Sequence, residues 1–288
     1  MGLLRKMLGA QPTPTADGAF SPSRLAIKLG TSSTTDYDGG AYPTTYTGSK
    51  NRVLMVCTEQ RNMTMANGKK FSTGNHPVEM GLPMLHLMNA GFEIDIVTPT
   101  GAPVAIEMWA MPDQDEHVKK LFRDYDDAFS APQSLADFAA KDMVAEAQYA
   151  AVFIPGGHGA MLGLPENNDL GKVLRWAHDQ DMFTLALCHG PAALLAANSN
   201  DGFLYAGYKM TVFPDAVDKQ TPMIGYLPGP MPWWVCDSLK ALGAEIINTK
   251  ADKSCHVDRH LVTGASPKAA NDFGRLAATT LLNAVRKN

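Results

Sequence analysis

Four short apolar runs constrain this chain more than anything else in it. They are Arg52–Cys57 (RVLMVC), Phe92–Thr98 (FEIDIVT), Ala150–Ile154 (AAVFI) and Phe183–Leu187 (FTLAL). Each is too short for a buried helix and three are almost continuously apolar, the pattern of strands covered on both faces. Stretches of helical spacing separate them, so the chain reads as α/β with a mostly parallel sheet between layers of helices.

Taken in order, residues 1–50 are rich in Pro, Thr, Ser, Gly and Asp. Composition alone describes a flexible arm, yet Phe20, Leu25, Ile27, Tyr37, Tyr42 and Tyr46 predict that much of it packs along the body, with only the first dozen residues mobile. Residues 51–288 form the α/β body. His76 to Ala90 has helical spacing with a stop at Gly91, and a long polar loop over 59–75 precedes it. Residues 101–148 break the rhythm; helical pieces at His117–Tyr125 and Ser134–Glu146 predict an insertion forming a small cap. The rhythm resumes with a helix over Asn168–Gln180, strands at Lys209–Phe213 and Ala244–Asn248, a helix within Trp233–Leu242, and paired extended pieces at His256–Thr263. A last helix is expected from Ser266 as N-cap and Pro267 to Val285.

Bulk properties exclude several classes. A formal charge of −4 with scattered Lys and Arg offers no groove or patch for nucleic acid. No run approaches a membrane span, and the amino terminus lacks the apolar stretch of a signal peptide. The four cysteines, Cys57, Cys188, Cys236 and Cys255, are far apart without a C-x-x-C pair, so no disulfide framework is expected and a cytoplasmic location follows.

The chemistry concentrates at Met182–Ala193, MFTLALCHGPAA. An apolar strand ends at Cys188, and His189, Gly190 and Pro191 turn the chain toward an Ala-rich helix. Such an elbow sits at the carboxyl end of a buried strand, where α/β sheets open their sites, and a helix start behind it favours a thiolate. A buried structural cysteine is the competing reading; the adjacent His and the turn residues favour a nucleophile. Pro155-Gly156-Gly157-His158-Gly159 follows another strand. It matches no phosphate-loop pattern, and its amides suit an oxyanion instead. Glu79 lies early in the first helix. Asp215 and Asp218 follow Phe213-Pro214, and either suits an imidazole partner. His256 and His260 are four apart, roughly 13 Å on a strand, which favours a solvated hairpin over a metal site. The stretch Tyr226–Trp234 (YLPGPMPWW) reads as core, dimer seam or an adaptable apolar surface.

The segments FSTGNHPVE, WAMPDQDE, FIPGGHGAMLGLPE, LALCHGPAA, FPDAVDKQTPMIGYLPG and LVTGASPKAANDFG resemble, in that order, the bacterial heat-shock chaperone and glyoxalase III group of the ThiJ/PfpI superfamily. The resemblance runs from about Phe20 to the end. It implies a flavodoxin-like sheet with a small second domain, a homodimer, no cofactor, and glutathione-independent handling of small dicarbonyls such as methylglyoxal. The family's nucleophile maps to Cys188, its imidazole to His189, the acidic partner to Asp218, the glutamate beside the thiol to Glu79, and the oxyanion amides to Gly157 and His189. Where relatives carry a His-Glu-His metal site, this chain has Met88, Glu93 and Tyr125, a poor donor set for Zn²⁺. His86 is rotated on the helix by roughly 160° from position 88.

The expected reaction converts methylglyoxal, and by extension early glycation adducts on proteins, to lactate through a Cys188 hemithioacetal. The resemblance also implies a stress-related holding chaperone for unfolding clients. Alternatives are a chaperone alone, or a cysteine peptidase or amidase; an adjacent Cys-His pair is unlike a glutaminase triad, whose His lies downstream.

Overall fold

A computed structural model describes residues 8–144 and 148–286. The first residues of the expected mobile arm, 1–7, and the end of the helical piece expected to reach Glu146 lie outside the described residues.

The apolar runs build one central sheet. Its strands are β1 (Arg52–Val56), β2 (Glu93–Thr98), β3 (Gln133–Ser134), β4 (Tyr149–Ile154), β5 (Phe183–Leu187), β6 (Cys255–Asp258) and β7 (Leu261–Gly264). They lie side by side in the order β6-β7-β5-β4-β1-β2-β3. Every pair is parallel except β6 with β7. From β1 the chain moves outward to β2 and β3, then returns to lay β4 on the other side of β1. That reversal marks the crevice at the carboxyl ends of the strands where α/β sheets bind ligand.

Alternate strand residues feed two cores. Val53, Met55, Phe153 and Leu185 pack under α1 (Pro77–Asn89) and α5 (Ala270–Val285). Leu54, Val56, Val152 and Ile154 pack with residues of α4 (Asn168–Asp179) on the opposite face. The α1 and α5 helices cross closely because residue 274 is glycine: an added Cβ would stand 2.9 Å from the Pro83 Cα. Within the expected insertion, α2 (Glu116–Asp124) packs on α1, while β3 and α3 (Leu135–Lys141) continue the sheet and its outer layer.

Several local expectations are corrected. The polar loop over 59–75 contains a hairpin, Asn62–Thr64 with Lys70–Ser72, turned at Asn67-Gly68 where Gly68 has φ +78°. The arm strand Phe20–Ser21 joins it in parallel. The strands expected at Lys209–Phe213 and Ala244–Asn248 shorten to Lys209–Met210 and Glu245–Ile246, a parallel pair apart from the main sheet. Side chains take over beyond them: Thr211 N–H donates to Thr263 Oγ1 and Val212 N–H to Asn248 Oδ1. After Cys188 the chain forms a 3-10 helix, Gly190–Ala197. Ser266 caps a 3-10 turn, and its hydroxyl donates to Asp252 O at 2.6 Å instead of capping α5.

The arm lies against α1 where it is described. Tyr42 Oη and His86 Nδ1 are 2.8 Å apart, Asn89 donates to Tyr37 Oη at 2.7 Å, and Tyr46 stacks on Phe92.

Phe273 on α5 is fully buried, with its ring 6.0 Å from that of Phe153. Phe273→Ala is expected to cost ~3–5 kcal/mol. Chemical denaturation that returned a loss below ~1 kcal/mol would contradict this packing.

Candidate active site

The end of β5 delivers Cys188 into a strained backbone. Its φ is +61°, a left-handed conformation that costs a non-glycine residue roughly 1–2 kcal/mol. The strain is held from both sides: Cys188 N–H donates to Gly264 O at the end of β7 (2.8 Å), and Phe213 N–H donates to Cys188 O (2.9 Å). These bonds fix the direction of the side chain, which is buried at the sheet edge and borders the core beneath α1 and α5.

Around the thiol lies a chain of buried ionisable groups. Cys188 Sγ is 3.4 Å from His189 Nδ1, His189 Nε2 is 2.8 Å from Asp218 Oδ2, and Asp218 Oδ1 is 3.1 Å from His158 Nε2. Asp218 thus accepts from two imidazoles. With Nε2–H donated to Asp218, His189 presents an unprotonated Nδ1 to the thiol, the tautomer a general base needs. The His189 ring is clamped between His158 (centroids 3.9 Å apart) and Phe213 (4.7 Å, stacked).

On the other side of the sulfur is Glu79, from the first turn of α1. Its carboxyl packs so tightly that a Cβ on residue 156 would fall on Oε2 and within 2.7 Å of the Cys188 Cβ. Glycine is therefore required there for steric reasons. Neither Glu79 oxygen has a partner in hydrogen-bond geometry, although the Cys188 thiol and the Gly156 N–H lie against it. Gly157, at φ +97°, turns its loop beneath Gly74, and the His189 backbone N–H faces the sulfur.

Burial sets the protonation states. Desolvation pushes the Glu79 carboxyl well above its usual value, and it pushes up the Cys188 thiol too, with a charged Glu79 adding to the effect. The resting form is therefore a thiol, not the standing thiolate expected from the elbow. Desolvation, then the neighbouring His158, holds His189 below the ordinary histidine value. Desolvation acts the same way on His158, but the Asp218 carboxylate more than offsets it and leaves that imidazole raised. For Asp218 burial is outweighed by the two imidazoles, His189 first, and its carboxyl stays far below the usual range. The arrangement is a neutral base beside a thiol and a neutral carboxylic acid.

The structure separates the two aspartates. Asp215 accepts from Cys236 N–H and Asp237 N–H, both at 3.0 Å, and so closes the amino end of the helix Val235–Ala241; Asp218 faces the imidazoles. His256 and His260 stand on and beyond β6 and take no part. Tyr226 walls the site, its ring 5.9 Å from His158 and 5.6 Å from Trp109. Met88, Glu93 and Tyr125 line a separate surface cavity of about 500 Å³, where they present one thioether, one carboxylate and one phenol. His86 is turned away into bonds with Tyr42 and Asn271.

Sequence reasoning gave no role to two further site residues. His158 was legible only as a histidine in the Gly-Gly loop. Glu107 is buried, accepts from Thr73 Oγ1 at 2.6 Å, has the amides of Gly74 and His158 near it, and is pushed up to about 7 by desolvation; no motif marks it.

Residues 70–280 match the DJ-1/PfpI family. The chain belongs to that family. It is similar to the protein/nucleic acid deglycase HchA of Pseudomonas aeruginosa (strain UCBPP-PA14), with 47% identity covering 94% of this chain and 96% of that one. To the protein of the same name from Escherichia coli O1:K1 it is 45% identical, over 98% of both chains. Among solved structures, glyoxalase III of Candida albicans superposes with a TM-score of 0.63 at 24% identity, over 80% of this chain and 98% of that one. The 24 kDa Rapid Encystment Protein of Francisella tularensis gives 0.65 at 24%, over 80% and 99%. At these identities the superpositions show the DJ-1/PfpI fold.

Two outcomes follow from the geometry. Asp215→Ala is expected to cost roughly 0.5–2 kcal/mol in denaturation with Cys188 reactivity kept, whereas Asp218→Asn removes the carboxylate both imidazoles share, so it should cost at least as much stability and also slow alkylation of Cys188. Because Cys188 is held at positive φ, Cys188→Gly should be about 1 kcal/mol more stable than Cys188→Ala; equal stability would deny the strain.

Proposed function

We propose that this chain is a glutathione-independent glyoxalase and deglycase, turning methylglyoxal and its early adducts on proteins into lactate. The observation that carries this reading is the buried line Glu79, Cys188, His189, Asp218, in which a thiol stands between a neutral base and a neutral acid. The names of the relatives from P. aeruginosa and E. coli, both protein/nucleic acid deglycases, support the substrate class.

In the proposed mechanism, the substrate presents its aldehyde carbon to Cys188 Sγ. His189 Nδ1 takes the thiol proton as sulfur adds to the carbonyl carbon. The developing oxyanion is met by the amides of Gly157 and His189, and Asp218 balances the imidazolium. The product of this step is a hemithioacetal. His189, neutral again after giving the thiol proton to the oxyanion, removes the C1 proton and delivers it to C2 while the C1 hydroxyl proton passes to Glu79, which converts the hemithioacetal to the thioester of lactate with no external oxidant or reductant. Glu79 stands on the thiol side for this transfer: protonated at rest, it protonates the ketone oxygen as the enediol forms and is restored afterwards. Water releases lactate and the thiol. With a glycated amine the same attack takes the hemiaminal carbon, and the amine departs with a proton.

The exposed large apolar side chains include Leu29, Met108, Met223 and Ile247; the geometry around Cys188 is what supports the enzymatic reading. Among the described residues no helix is long and apolar enough to cross a membrane, and all four cysteines are free thiols. A homodimer in the reducing cytoplasm belongs to the same proposal.

Purified protein should form lactate from methylglyoxal without glutathione, and Cys188→Ala should lose at least about a hundredfold in turnover; full turnover in that variant would end the covalent route. Since His189 must be neutral and its pKa is depressed, kcat/KM should hold as pH falls past the ordinary histidine value and decline only below it. On the alkaline side activity should fall as Glu79 ionises and stops donating. A profile that rises steadily from neutral to alkaline pH, following simple thiol ionisation, would contradict these roles.

A further inference from the structure

The proposed chemistry uses one of the two imidazoles on Asp218 and leaves the other unexplained. His158 is 3% exposed, donates from Nε2 to Asp218 Oδ1 at 3.1 Å, and lies over the His189 ring at a centroid distance of 3.9 Å with 35° between planes. Two imidazoles at van der Waals distance resist carrying charge together, so at most one ring of the pair is the cation. The surroundings decide which. Facing His158 are Asp218 from the helix Asp215–Asp218, Glu107 from the segment before Met108–Ala110, His189 from the elbow and His76 from the cap of α1. The rings of Phe71, Phe213 and Tyr226 complete the enclosure. Asp218 is shared, 3.1 Å from His158 and 2.8 Å from His189, so the difference between the rings lies in their other neighbours: His158 has Glu107 beside it, while His189 has the uncharged Cys188 thiol, with Asp215 the weakest of its charged neighbours.

We propose that His158 is a positioning residue which takes half of Asp218's hydrogen-bonding capacity and carries the positive charge of the pair, so that His189 stays neutral with Nδ1 open to the thiol. The inference rests on the reading of Cys188 and His189 as nucleophile and base. His158 does not touch the sulfur. It acts through the shared carboxylate and the stacked ring faces. The protonation states given above agree with this division: His158 is raised, chiefly against burial by Asp218, and His189 is lowered, with His158 the largest charge opposing its protonation. A triad carrying a single imidazole would leave the whole carboxylate charge to the base and favour the imidazolium, which cannot accept the thiol proton.

Two variants separate the charge from the hydrogen bond. His158→Gln keeps an N–H donor for Asp218 and removes the charge; His158→Phe keeps a stacked ring and removes both. The His189 ring is followed by NMR of histidine-labelled protein across pH, without substrate, with its signals assigned through His189→Gln. Lactate formation is measured beside it. In both variants the His189 titration should move toward higher pH, and kcat below the new midpoint should fall about tenfold with KM little changed. His158→Gln should retain a wild-type melting temperature, since its hydrogen bond survives. An unmoved or acid-shifted His189 titration in folded His158→Gln would overturn the proposal. If the titration moves as expected but no lactate is formed even by wild type, the coupling stands and the assignment of activity falls instead.

Discussion

The hydrogen bonds that hold Cys188 at positive φ are the constraint on which the site depends. Gly264 at the end of β7 grips the amide, and the segment after Pro214 is tied back through Phe213 N–H to the carbonyl. These bonds fix where the sulfur points. They also bring the helix Asp215–Asp218 to the elbow, because the residue that bonds Cys188 O lies only five positions before Asp218. Without the strained turn the sulfur would leave its place between His189 and Glu79, and the imidazoles would have no thiol to serve.

Burial then does the electrical work. Six groups, Glu107, His158, Asp218, His189, Cys188 and Glu79, run through the site almost without exposure. In so dry a place an isolated charge is expensive, so the charges come in compensated pairs and the remaining members stay neutral. Asp218 and the imidazoles hold the one strong ion pair; Glu79 and Cys188 keep their protons. Carbonyl addition suits such a site. It needs a proton to leave sulfur and another to reach oxygen, and groups that start neutral can exchange both without leaving net charge in the interior.

Much of this was legible in the sequence because the signals are local. Continuous apolar runs specify β1, β4 and β5, and a strand ending in Cys-His-Gly-Pro specifies the elbow. The Gly-Gly loop beside Glu79 is also readable, since the glycines answer to close packing. What escaped depends on contacts across the fold. Asp215 and Asp218 are equivalent on spacing alone; the resemblance assigns the role to Asp218, but the physical reason, the helix Val235–Ala241 arriving over Asp215, is visible only in the fold. His158 and Glu107 acquire meaning from neighbours 60 and 51 positions away, Asp218 and His158. The hairpin at Asn67-Gly68 is a different kind of omission: the dipeptide is a strong turn signal, masked by the polar residues around it.

The central claim is that Cys188 forms the covalent bond to the substrate carbonyl, with the buried groups around it moving protons. Intact-protein mass spectrometry on Glu79→Gln, mixed with methylglyoxal and quenched within the first turnover, tests it most directly. The account predicts a mass gain of one methylglyoxal, located on the peptide carrying Cys188 and absent from Cys188→Ala. Lactate formed by wild type, with no adduct on Cys188 in either protein after reductive trapping, would contradict it.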